Sequence, residues 1–108
     1  MTQLDLKENE IYHFVLSNSV IIGKFLGESE DFLRISKPYL LLSDGQQLVI
    51  IPYLAEILNQ ELEVLELSKN QLVSKPIEID KSSSVYTEYV KAATGIEVAG
   101  SPKELILG

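Results

Sequence analysis

A chain of 108 residues with sixteen Asp and Glu against nine Lys and Arg carries a net charge of −7, so nothing draws its surface generally toward polyanions. Its length fits one domain over 1–108, and 45% hydrophobic with 23% charged residues places it in the globular class. Cysteine is absent and histidine occurs once, which excludes disulfides, thiolate catalysis, cysteine-bound zinc and a histidine-rich metal site.

Residues 1–10 are polar and acidic, without the basic and apolar regions of a signal peptide. No run without a charge, residues 38–43 and 46–55 among them, reaches the roughly 18 to 20 residues that span a bilayer. The expectation is a soluble, cytoplasmic chain with no membrane partner.

Residues 11–16 (IYHFVL) and 20–26 (VIIGKFL) are β-branched and aromatic runs around the turn cluster Ser17-Asn18-Ser19, a hairpin pattern. Gly23 inside the second run marks a sharp bend. After a polar loop at 27–31 come two apolar runs, 32–36 and 39–42, interrupted by Lys37-Pro38. Asp44-Gly45 is a second hairpin signal before residues 48–54 (LVIIPYL), where Pro52 ends the strand or places it at an edge. Leu62, Val64, Leu65 and Leu67 make another strand-like run interleaved with Glu61, Glu63 and Glu66. Lys69-Asn70-Gln71 then turns the chain, and residues 76–80 close the series. One stretch reads as helix, about 81–95, with Val85, Tyr86, Tyr89, Val90 and Ala93 opposite Ser84, Thr87, Glu88 and Lys91. Asp80 or one of Ser82 to Ser84 supplies its N-cap and Gly95 its stop. The tail, 96–108, carries Leu105-Ile106-Leu107 as a short last strand.

A half-buried strand alternates, but residues 20–22, 39–42 and 48–51 are apolar on both faces. One helix covers one patch. The remaining surface is expected to meet another copy, which would also pair an edge strand otherwise left open.

These residues resemble the Sm-like family. The resemblance rests on YHFVL, the turn SNS, the bent VIIGKFLGE and FLRI after an acidic loop. It continues through ISKPYLL, VIIPYLAEI, VLELSKNQLV, SVYTEYVKAATG and SPKELIL, as in the small Sm-like proteins of cyanophage and marine metagenome origin. It implies a mainly β fold, a small, strongly bent SH3-like barrel over about 11–80 with one α-helix in the C-terminal half and a short terminal strand. It also implies a homo-oligomeric ring of roughly five to seven subunits, with single-stranded RNA as a ligand at the pore or faces. In the family's base-contacting loop an asparagine is usual; here residues 30–34 are Glu-Asp-Phe-Leu-Arg, with Arg34 in its place. The family's later loop falls near Ile51-Pro52 or in Ser68-Lys69-Asn70, where Lys69 and Asn70 offer a cation and an amide.

Arg34, Lys37 and Tyr39 combine charge with an aromatic face, the chemistry of single-strand binding. The competing structural reading pairs Arg34 with Glu30 or Asp31 and packs Tyr39 in the barrel. His13 has no motif-linked nucleophile and reads as a strand residue. The glutamates fit no cation loop and read as a solvated face, and no cofactor loop is present. The chain is therefore read as a non-enzymatic, ring-forming protein with a local RNA site at Arg34, Lys37, Tyr39, Lys69 and Asn70. The rival is an oligomeric scaffold or adaptor that binds protein partners.

Overall fold

The computed structural model describes residues 4–43 and 45–94. Asp44, the helix stop at Gly95 and the final strand at 105–107 lie outside them. The elements are β1 (Ile11–Val15), β2 (Val20–Glu28), β3 (Phe32–Ser43), β4 (Leu48–Pro52), α1 (Ala55–Leu58), β5 (Val64–Ser68), a 3-10 turn (Lys69–Gln71), β6 (Ile77–Glu78) and α2 (Ser84–Thr94). The mainly β class holds.

All pairings are antiparallel, in the order β4-β3-β2-β1-β6, with β5 also on β3. Because β2 occupies one edge of β3, β4 and β5 share its other edge end to end, β5 beside 32–36 and β4 beside 39–43. Lys37-Pro38 does not split the chain into two strands as the sequence suggests. It forms a bulge within one strand: the β2–β3 register shifts between Ile22 and Lys24, and Lys37 adopts φ +51°. Gly23 lies opposite this bulge. A Cβ there would collide with Ile35 Cγ2 and sit 3.2 Å from Ser36 O, so the bend requires glycine.

The sheet curls. Ser68 pairs with Phe32 at the start of β3, yet Leu72 bridges Leu16 just after β1, and Val73 N–H donates to Val15 O at 3.0 Å. A flat sheet would hold these positions four strand spacings apart, about 19 Å, whereas four residues reach at most ~14 Å. The two sides meet through an isolated bridge, so the described residues form a strongly curled open sheet. A closed barrel was the expectation; no ladder joins β5 to β1 among these residues.

Ile21 and Ile22 point to opposite faces and enter separate apolar clusters. One holds Tyr12, Phe14, Ile21, Phe25, Leu33, Ile35 and Leu67. The other holds Ile22, Tyr39, Ile50, Ile79 and Tyr89, with Val85, Tyr86, Val90 and Ala93 of α2 packed against it. Each such large apolar side chain contributes about 1.5–3 kcal/mol by leaving water. Ser83 caps α2, its Oγ accepting the Tyr86 N–H at 3.2 Å, while Asp80 accepts from the Ser82 N–H at 2.9 Å. α1 was not legible from the pattern, four residues being too short for a helical period. No helix among the described residues is long and apolar enough to cross a membrane.

Candidate nucleic-acid interface

β3 carries Arg34, Lys37 and Tyr39, and the antiparallel segment that ends in β5 carries Glu66, Glu63 and Glu61. The register sets Arg34 against Glu66, and the Lys37 N–H donates to Glu63 O at 2.9 Å. The side chains follow the backbone. Arg34 Nε lies 3.6 Å from Glu66 Oε2, Lys37 Nζ lies 2.7 Å from Glu63 Oε2, and the Tyr39 hydroxyl donates to Glu61 Oε1 at 3.3 Å. The acidic run read as a solvated face is a ladder of counter-charges for the three candidate RNA contacts.

These groups differ in availability. Arg34 and Glu66 are 60% and 62% exposed, so their pair is weak and screened. The hydrogen bond it donates to Glu63 raises the Lys37 ammonium above its ordinary range. Tyr39 is buried, its ring edge-on to Tyr89 at 5.6 Å, and burial followed by the Glu61 charge raises its phenol. No base can stack on it. The sequence expectation that Tyr39 packs inside is met, though beneath α2; Arg34 faces Glu66, not Glu30 or Asp31, because β5 is its cross-strand neighbour.

Lys69 and Asn70 are separate from this row. Lys69 is buried, its Nζ 2.6 Å from Glu28 Oε2, with side-chain exposures of 3% and 8%. Glu28 also accepts the Leu4 N–H at 3.4 Å. Lys69 thus ties the 3-10 turn to the end of β2. Its neighbours Ser68, Asn70 and Gln71 are polar, which is why the sequence reads the segment as an exposed loop. Asn70 is exposed, and its N–H donates to Ser68 Oγ at 3.3 Å.

His13 stands opposite Ile22 and Ile77, and burial lowers its pKa. No group of three His, Asp or Glu side chains is placed to hold a metal among the described residues. Glu88, expected on the solvent face of α2, is instead 4% exposed, and neither carboxylate oxygen has a hydrogen-bond partner among the described residues.

No family model, no curated protein and no solved structure matches this chain.

Proposed function

We propose that this chain is a non-catalytic, self-associating module of the Sm-like type, a scaffold built by pairing of copies through the β4 and β5 edges. The observation that carries the reading is that both strands lie on the same side of β3 and pair with no other strand among the described residues. Tyr53 N–H donates to Pro38 O at 3.0 Å, so alternation along the ladder turns positions 48, 50 and 52 outward. Pro52, which has no N–H, occupies one of them. Exposed apolar groups flank both edges: Leu42 and Leu48 by β4, Phe32 and Val64 by β5, and Ile57 and Leu58 on α1 between them. Two unlike edges pair head to tail, and such contacts close into rings when the rotation allows.

The ring gathers charge of the same sign from every copy, and Lys37 and Lys69 are already committed to carboxylates. This favours protein partners over RNA. A second reading, weak binding of single-stranded RNA, rests on Arg34 alone, whose exposed pair a phosphate can replace.

Light scattering at micromolar concentration tests the scaffold. A multiple of 12.1 kDa is expected, falling toward one chain in Leu48→Lys/Val64→Lys. A monomeric mass for the unaltered chain overturns it. Fluorescence anisotropy with labelled poly-U separates the second reading; binding that Arg34→Gln removes would establish an RNA site on the same assembly.

A further inference from the structure

A cleft of about 390 Å³ separates α2 from the face of β2 and β3. That lies at the low end of ligand clefts, roughly 300–1,000 Å³, and suits a molecule with a single ring. Its apolar wall is formed by Ile11, Tyr86, Val90 and Ala93. Two of the chain's nine basic side chains, Lys24 and Lys37, line it, and no acidic one does. In a protein of net charge −7 such a cleft is locally positive.

The two lysines are not equivalent. Lys37 Nζ is held 2.7 Å from Glu63 Oε2, so its charge already has a partner. Lys24 is exposed and forms no ion pair among the described residues, so it supplies the one uncompensated charge. Ser36 adds a hydroxyl and Tyr86 a phenol beside the apolar wall. Tyr89 fixes the floor, its hydroxyl shared between Ser36 O at 3.0 Å and Lys37 O at 2.8 Å. One free cation over an aromatic and aliphatic wall is complementary to a monoanion. A dianion would leave charge unmatched and face Glu63 just behind Lys37.

We propose that the cleft between α2 and the β2–β3 face binds a small aryl carboxylate, its ring against Tyr86, Val90 and Ala93 and its carboxylate at Lys24. This is independent of the assembly proposed above.

The test is a titration of the isotope-labelled full chain, followed by amide chemical shifts, with phenylacetate, phenylacetamide and phenyl phosphate as probes. Phenylacetate is expected to move the Ile11, Lys24, Ser36 and Ala93 amides and to saturate at millimolar concentration or below. Lys24→Met should weaken phenylacetate about tenfold while leaving phenylacetamide unchanged, and Lys75→Met, which does not line the cleft, should alter neither. Ala93→Trp should fill the space and abolish all binding in a chain whose remaining amides stay dispersed. Absence of localised shifts up to about 10 mM overturns the site. Equal weakening of phenylacetate and phenylacetamide by Lys24→Met, or tighter binding of phenyl phosphate, overturns the assignment of a monocarboxylate.

Discussion

Lys69 and Glu28 are the most consequential pair of single residues in the molecule, because both charges are withdrawn from water. Breaking such a pair strands the survivor, at a cost of about 3–5 kcal/mol. Lys69→Met should lower the urea midpoint accordingly, and adding Glu28→Gln should restore much of the loss, since no buried charge then remains unpaired. If Lys69→Met alone proves neutral in urea denaturation, the pair does not tie the turn to β2 as argued. His13 sets a pH dependence of its own. Its folded pKa is depressed below 6.5 by burial, so the unfolded chain takes up the proton first. Stability is full above about 6.5 and falls as pH drops through the lowered value. Melting curves at pH 8 and pH 6 should differ, and His13→Gln should reduce that difference. At this scale the sequence shows residue chemistry but not pairing: Arg34, Lys37 and Tyr39 stand out by type, whereas their glutamates are found only once β5 is laid beside β3.

Elements were legible where pattern and punctuation agree. The first hairpin, the Gly23 bend and the serine-capped α2 each follow from local signals, the bend because Ile35 leaves no room for a Cβ. β3 was harder, since Lys37-Pro38 carries every mark of a break; only the chance to place an extra residue opposite Gly23 keeps the strand continuous. Helical periodicity also misplaces Glu88, because the covered face of α2 is wider than its apolar stripe. A buried carboxylate without partners destabilises, so Glu88→Met should raise stability by about 1–3 kcal/mol in thermal melts. A loss of stability instead would mean that the carboxylate does have a partner.

Across the whole molecule, the runs that are apolar on both faces were expected to leave a surface for another copy; in the described residues each face instead enters a cluster within the chain, and α2 covers the second. Closure was not legible in the same way. It depends on the chain passing from Ser68 to Leu72 within one short turn, and there it makes a bridge instead of a ladder. The unshared edges of β4 and β5 are the physical basis of the proposed association. The central place of β3 has a consequence in time. Three other strands bond to it, and its N–H groups alternate between β2 on one edge and β4 or β5 on the other, so those facing β2 lie between two strands that each have further partners, while β4 and β6 have a single partner each. In hydrogen exchange Tyr39 and Leu41, whose N–H groups face β2, should therefore form the slowest class, at the rate of global unfolding, with β6 exchanging orders of magnitude sooner by local opening. Equal protection of β3 and β6 would mean that the sheet opens as one unit.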